Sequence, residues 1–188
     1  MCCFMKLYFT AIVLPEELNA EIKLFKNLMF EKWGCKVGLK SPAHVTLIPP
    51  FWMNEKWEGN FCTDLELLCK QVAPFVITTA DFSAFRPRTI FIEPVLDGDL
   101  KGLKQITDAF CNTHTQYGAR ADNRPFHPHI TIATRDLHKS AFAEAWSYFE
   151  TKNYRNQFEA TGLSLLRHNT KHWDVIFTAP FTGSKQEI

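Results

Sequence analysis

Two stretches of the sequence share one pattern: AHVTLIPPF at residues 43–51 and FHPHITIAT at residues 126–134. Each stretch places a histidine two positions before a threonine and puts aliphatic residues between and after them. Such residues predict strands, and residues two apart on a strand face the same side. Each strand therefore presents an imidazole and a hydroxyl together, while its aliphatic residues face the core. The pairs are His44 with Thr46 and His129 with Thr131.

The elements around the first motif begin with an alternating stretch at residues 7–15, which predicts a strand ending at proline. Residues 15–34 show helical spacing, an acidic first turn and a stopping Gly34. The first motif strand is predicted to end at its two prolines. The helix that follows, over residues 62–73, has Thr63 or Asp64 as its expected cap.

The second half of the chain repeats this order. Residues 75–95 predict a hairpin, because β-branched and aromatic runs flank Arg-Pro-Arg at 86–88. The sequence then predicts a helix over 98–118, the second motif strand over 127–134, another helix over 138–152 and a closing hairpin over 157–181, whose turn is at 168–171. The motif histidines are 85 residues apart (44 to 129). Two similar halves are therefore the predicted organisation.

The composition limits the possible classes of protein. A chain of 188 residues with 46% hydrophobic residues is long enough to bury a full core. Its 21 basic and 20 acidic residues give no overall positive charge for binding long nucleic acids, so an anionic substrate must be bound by local groups. The six cysteines show no close Cys-x-x-Cys pair, which indicates reduced thiols. Without a signal-peptide pattern or a membrane-spanning run, we expect a cytoplasmic monomer.

Two imidazoles and two hydroxyls in one cleft would form an acid–base site. Imidazole titrates near pH ~6.5, so one ring can accept a proton from water while the other donates one to a leaving oxygen. Threonine hydroxyls can donate hydrogen bonds to phosphate oxygens. No cofactor or metal is expected, because no acidic or cysteine residue sits at ligand spacing from the histidines. The alternative is a pair of hydrogen-bonded structural histidines.

The sequences HVTLIPPF and HPHITIA resemble the two signature motifs of the two-histidine (2H) phosphoesterase superfamily, in its 2′-5′ RNA ligase-like, RNA 2′,3′-cyclic phosphodiesterase branch. The resemblance covers nearly the whole chain and implies a single bilobal α+β domain over residues 1–188. It implies pseudo-twofold symmetry, with an antiparallel sheet backed by helices in each lobe and both motifs in a central groove. By this resemblance the catalytic set is His44, Thr46, His129 and Thr131.

The same resemblance implies that the substrate is an RNA end or a small nucleotide carrying a 2′,3′-cyclic phosphate. Hydrolysis would release the 3′ oxygen and leave a 2′-phosphomonoester, and the reverse reaction would be 2′-5′ ligation. Two alternatives stay open. The same residues could act on 2′-5′ oligonucleotides or another small cyclic nucleotide, or the chain could bind RNA ends without turnover.

Three further residues are weaker candidates for substrate binding. Arg135 would share the face of His129 on an unbroken strand and could reach a phosphate, but a strand ending at Ala133 would turn it outward. His127 could share the catalytic face or make a hydrogen bond at the loop end. Phe51 could stack a base or pack in the core.

Overall fold

The computed structural model describes residues 4–184 and contains eight strands and four α-helices in that range. The strands are β1 (Met5–Val13), β2 (His44–Asn54), β3 (Phe75–Phe85), β4 (Thr89–Pro94), β5 (Ile130–Ala133), β6 (Gln157–Ala160), β7 (Gly162–His168) and β8 (Trp173–Pro180). The helices are α1 (Glu16–Trp33), α2 (Glu58–Cys69), α3 (Gly98–Thr113) and α4 (Lys139–Phe149). Three short 3₁₀ turns cover Val37–Lys40, Glu55–Trp57 and Thr115–Tyr117. None of the helices in this range is long and apolar enough to cross a membrane.

The strands form two four-stranded antiparallel sheets, and this confirms the predicted α+β fold with two lobes. The first sheet has the order β2-β1-β7-β8 and the second has the order β5-β4-β3-β6. The motif strands β2 and β5 each lie at the edge of their own sheet. Because β1 pairs with β7, the first sheet joins the two ends of the described chain.

The helices cover the sheets in a crossed arrangement. Helix α1 follows a strand of the first sheet, yet its Phe25 packs edge-on against Phe82 of β3 and Phe149 of α4 in the second lobe. Helix α3 follows a strand of the second sheet, yet its Phe110 packs against Phe61 of α2 beneath the first. Buried side chains from both lobes therefore belong to one continuous hydrophobic core. Burial of this shared apolar surface holds the lobes together.

Helix α1 ends where the sequence predicts. Gly34 takes the left-handed conformation, with φ 70°, and its backbone N–H donates to the carbonyl of Phe30 at 2.9 Å. A residue with a Cβ is disfavoured in this conformation, which is why glycine so often ends helices.

The predicted end of the first motif strand is wrong, because β2 continues through Pro49 and Pro50 to Asn54. An edge strand tolerates proline, since the missing N–H can face away from its neighbour. The pairing with β1 is irregular near this point, between Tyr8 and Thr10 and between Thr10 and Ala11.

The predicted cap of α2 is also wrong. The helix begins at Glu58, and Thr63 lies inside it, where its hydroxyl donates to the carbonyl of Gly59 at 3.1 Å. A threonine hydroxyl satisfied by the preceding turn is compatible with a helix interior.

The last predicted hairpin is divided between the sheets. The stretch expected to form its first strand is two strands: β6 pairs with β3 in the second sheet, whereas β7 pairs with β1 and β8 in the first. The chain crosses between the sheets at Thr161. The hairpin between β7 and β8 is confirmed.

The cysteines within residues 4–184 are free thiols: Cys35, Cys62, Cys69 and Cys111. Burial raises the pKa of the Cys69 thiol to about 12. Cys2 and Cys3 lie outside the described residues.

Candidate active site

His44 is the first residue of β2, and the loop before it fixes its ring. Its Nδ1 lies 2.7 Å from the carbonyl oxygen of Pro42. A carbonyl can only accept, so in the neutral ring the proton is on Nδ1 and Nε2 has the free lone pair. The loop is held in turn by Asn19 of α1, whose side-chain oxygen accepts from the backbone N–H of Ala43.

His129 repeats this local geometry just before β5. Its Nδ1 lies 2.9 Å from the carbonyl oxygen of His127, again two residues earlier in the chain. The same tautomer follows, with Nε2 unprotonated in the neutral ring. The two motifs therefore match in the hydrogen bond that orients each histidine as well as in sequence.

Both rings pack against aromatic side chains. The His44 ring centroid is 4.9 Å from that of Phe9, and the His129 ring is 5.2 Å from Phe85 and 5.6 Å from Phe91. Such surroundings withdraw the rings from water and disfavour their charged forms.

The pKa values of both histidines are lowered. Burial is the largest cause of the lowering of the pKa of His44 to about 4. The hydrogen bond to Pro42 raises this pKa, whereas the positive charges of Lys26 and His129 lower it further. Burial is also the main cause of the lowered pKa of His129; the hydrogen bond to His127 opposes it and the His127 charge adds to it. Both rings are therefore neutral in the free protein at neutral pH.

The groove between the lobes contains two adjoining cavities of about 450 and 470 Å³. The first is lined by His44, Thr46 and Thr131, and the second by Thr46 and His129. Thr46 and Pro50 line both cavities, so these are two parts of one groove. The structure thus brings together all four residues of the predicted catalytic set.

The two threonine hydroxyls are available for a ligand. Neither Thr46 nor Thr131 makes a side-chain hydrogen bond to the part of the chain that the structure describes. Both side chains are partly exposed in the groove. A phosphate between the histidines could accept hydrogen bonds from these hydroxyls without breaking any existing one.

Arg135 lies on the rim of the groove. Strand β5 ends at Ala133, and Arg135 is exposed in the turn that follows. It nevertheless lines the cavity that contains His44 and Thr131. The early strand end thus does not remove Arg135 from the groove.

The side chain of His127 is half exposed and lines the cavity with His129. Its Nε2 lies 3.8 Å from a carboxylate oxygen of Glu93, close enough for an ion pair when the ring is protonated. Its carbonyl group, as described above, orients His129.

The suggestion that Phe51 stacks a base is wrong. The residue is 5% exposed, and its ring centroid lies 6.1 Å from that of Tyr8 and 5.5 Å from that of Phe61. Phe51 pairs directly with Tyr8 across β1 and β2, on the face that the helices cover. It is a core residue, and no ring face is left open to a ligand.

Several groove residues were not identified from the sequence, because they come from elements distant from the motifs. The cavity with His44 also contains the aromatic rings of Phe9, His168 and Trp173. The cavity with His129 also contains Phe85, Phe126 and the buried Lys104. The only sequence signal was the alternation of β1, which places Phe9 on the face opposite Tyr8.

Residues 4–184 contain no group of three or more histidine, cysteine, aspartate or glutamate side chains arranged to hold a metal ion. The groove is lined instead by two histidines and two threonines of the motifs, together with Arg135. Such groups can bind an anion and transfer protons on its two sides.

Known proteins resemble this chain in fold and, more distantly, in sequence. An RNA 2′,3′-cyclic phosphodiesterase of Bacillus subtilis (strain 168) is 27% identical over 136 residues, which are 68% of this chain and 70% of that protein. The crystal structure of TT0787 of Thermus thermophilus matches with a TM-score of 0.66 at 18% identity, covering 95% of this chain and 99% of that one. E. coli LigT complexed with 3′-AMP matches with a TM-score of 0.65 at 19% identity and the same coverage. Residues 14–172, which include both motifs, match the model of the 2′-5′ RNA ligase superfamily, and the chain therefore belongs to this family of two-histidine phosphoesterases.

Proposed function

We propose that the protein hydrolyses the 2′,3′-cyclic phosphate of RNA ends or small nucleotides to a 2′-phosphomonoester, by general acid–base catalysis with His44 and His129. The observation that carries this proposal is the matched orientation of the two rings. In each ring, Nδ1 makes a hydrogen bond to the carbonyl oxygen of the residue two positions earlier, and Nε2 is left to contact a substrate. Two equivalent proton-transfer groups in one groove suit a reaction in which one proton is removed and another is delivered.

In the proposed reaction, one neutral imidazole accepts a proton from water, and the water oxygen forms a bond to phosphorus. The bond from phosphorus to the 3′ oxygen breaks, and the other ring, as imidazolium, donates its proton to that oxygen. The product carries the phosphate on the 2′ oxygen, and the enzyme has exchanged one proton between its rings. Positioned proton transfers of this kind typically contribute ~10² to 10⁴ each in rate.

Thr46, Thr131 and Arg135 are proposed to bind the non-bridging phosphate oxygens. Charge grows on these oxygens as water attacks, so donors fixed in the groove stabilise the transition state more than the substrate. The guanidinium of Arg135 adds charge-assisted hydrogen bonds at the rim. The ring of His127 is proposed to contact the substrate beside His129.

The named relatives support this choice of substrate class. One relative is named as an RNA 2′,3′-cyclic phosphodiesterase, and LigT has been crystallised with 3′-AMP. The same residues could run the reaction in reverse and join a cyclic phosphate to a 5′-hydroxyl. Water at ~55 M makes hydrolysis the dominant direction by mass action.

The direct test is incubation with each nucleoside 2′,3′-cyclic phosphate, followed by chromatographic separation of the 2′- and 3′-monophosphates. We expect the 2′ isomer, with no loss of rate in excess EDTA. Release of the 3′ isomer would contradict the assigned leaving group. Cleavage of 2′-5′ oligonucleotides alone would assign the site to the alternative phosphodiesterase reaction, and saturable binding without product would identify an RNA-end-binding module.

A further inference from the structure

A third cavity, of about 440 Å³, adjoins the groove on the side of His44. Three lysines line it, on α1 and in the loop before β2, and only one of its lining residues is acidic. The lysines are Lys23, Lys26 and Lys40, and the acidic residue is Glu16. None of the three lysines makes an ion pair with a carboxylate in the described residues. In a chain whose net charge is only +1, this is a local concentration of unpaired positive charge.

Lys26 is the most unusual of the three. The residue is 4% exposed, and its Nζ donates one hydrogen bond, to the carbonyl oxygen of Ser41 at 3.1 Å. An ammonium has three donors, and a buried charge is costly unless it is paired. Burial lowers the pKa of Lys26 to about 8, and the group is therefore still mostly charged at neutral pH.

The second buried lysine of the described residues shows how a carboxylate of the protein can neutralise a buried ammonium. Lys104 on α3 is 6% exposed and forms an ion pair with Asp108, one turn further along the same helix. Its charge is thus neutralised inside the protein. Lys26 has no such carboxylate in the described residues, and an anionic ligand in the cavity would supply the missing countercharge.

The lysine cavity is continuous with the reaction site. Lys40, Ser41 and Trp173 line both this cavity and the one containing His44 and Thr131. The connection also runs through the backbone, because Ser41 accepts from Lys26 while the next residue, Pro42, accepts from His44. A ligand extending from the histidines past Trp173 would therefore reach the lysines.

We propose that Lys23, Lys26 and Lys40 form an anion subsite that binds a second phosphate of the substrate, one nucleotide away from the cyclic phosphate. The proposal rests on the proposed function of the groove and narrows its substrate from RNA ends or small nucleotides in general to short oligonucleotides. Trp173, which lines both cavities and is partly exposed, supplies aromatic surface for the nucleoside between the two phosphate positions. The second phosphate is taken to be an internal phosphodiester; a 5′-terminal phosphate has the same chemistry.

Equilibrium binding tests this without requiring turnover. The probes are adenosine 2′-monophosphate, adenosine 2′,5′-bisphosphate, the dinucleotide ApA carrying a 2′-phosphate, and the same dinucleotide with a neutral methylphosphonate linkage. Charge-assisted contacts to the second phosphate should make the dinucleotide bind about tenfold to hundredfold more tightly than its methylphosphonate analogue. Its affinity should also fall more steeply with salt, by about 0.7 in the slope of log K against log salt for one more neutralised phosphate.

The variants Lys23→Gln and Lys26→Met should each reduce, severalfold, the affinity of the dinucleotide relative to that of its methylphosphonate analogue. Lys101→Gln is the matched control, because it removes one positive charge from an exposed position on α3 that does not line the groove cavities. Lys23 is exposed, so its variant reports on the subsite even if the buried substitution impairs folding.

The outcomes separate the two proposals. A tighter bisphosphate, with no difference between the dinucleotide and its neutral analogue, would support the subsite and assign it to a 5′-terminal phosphate. Equal affinities for all four probes would overturn the subsite. The subsite would also be overturned if the affinity of the dinucleotide relative to its methylphosphonate analogue were as large in both lysine variants as in Lys101→Gln. Failure of the groove's proposed reaction would appear separately, as an absence of turnover of cyclic phosphates in the wild-type protein.

Discussion

Thr46 lines the same cavity as His129, although the two residues belong to different motifs, one on β2 and the other directly before β5. Thr131 likewise lines the cavity that contains His44. The proposed site therefore depends on the two edge strands lying side by side, and each motif histidine shares a cavity with a threonine from the opposite lobe.

His44→Ala and His129→Ala should each lose most cyclic phosphodiesterase activity, by about 10² to 10⁴ in kcat, while remaining folded. The double variant should be little worse than either single variant, because residues that act as a unit are not additive. Steady-state turnover measures the effect, with circular dichroism as the folding control. A folded single variant that keeps near-wild-type turnover would remove that histidine from the mechanism.

Thr46→Val and Thr131→Val should each lower kcat by about 10- to 1000-fold, because each removes one donor to a phosphate oxygen. Valine keeps the branched shape, so KM and stability should change less than kcat. Thr63→Val is a suitable control, since this hydroxyl bonds only within α2. An unchanged kcat in both groove variants would assign the two threonines to structure.

The pH dependence of kcat/KM should be bell-shaped with its maximum below pH 6.5. The rate falls in acid as the base is protonated, and it falls in alkali as the acid loses its proton. Since the pKa of His44 is lowered to about 4 and that of His129 is lowered as well, both limbs move to lower pH than for free imidazole. Measurements from about pH 4 to pH 9, with and without EDTA, should give the same curve. Activity that is lost to the chelator and restored by zinc, manganese or magnesium would disprove the two-histidine mechanism.

Acid should destabilise the protein partly through His44. Its pKa is about 4 when folded, below the ordinary value of 6.5, so the unfolded chain binds the proton more readily. His44 therefore has no effect on the free energy of unfolding above pH ~6.5. As the pH falls from there toward ~4, this residue lowers the free energy of unfolding by at most about 3 kcal/mol. Urea denaturation of the wild type and of His44→Gln at several pH values measures the difference. Identical pH dependence in the two proteins would contradict the lowered pKa.

Gly38→Ala should destabilise the protein by about 1 to 3 kcal/mol and disturb the groove wall. A Cβ at this position would overlap the carbonyl oxygen of Ile132 in β5, so the 3₁₀ turn Val37–Lys40 would have to move away from the second motif strand. Gly102→Ala is the control: no atom beyond its chain neighbours and the adjacent backbone of α3 lies within 4 Å of its new Cβ, and alanine favours the interior of α3. Thermal unfolding should show a lower Tm for the first variant and an equal or higher Tm for the second. A Gly38→Ala protein as stable as the wild type would mean that the turn can shift at no cost.

The sequence by itself determined the local features of this protein. Strand alternation placed His44 and Thr46 together in one cavity and put Val45 and Ile130 in the core, where both are buried. Gly34 ended α1, because a left-handed position favours glycine. These features depend on neighbouring residues and on the fixed geometry of the backbone, and that is why a single sequence is sufficient to predict them.

The tertiary structure alone decided which distant residues meet. It buried Phe51, brought Phe9 and Trp173 beside His44, and left Lys26 without a carboxylate while Lys104 found Asp108. It also carried the chain from the second sheet to the first at Thr161, inside what the sequence presents as one strand. Nothing local distinguishes these outcomes, because pairing between strands and the packing of helices across lobes are set by the burial of one shared core.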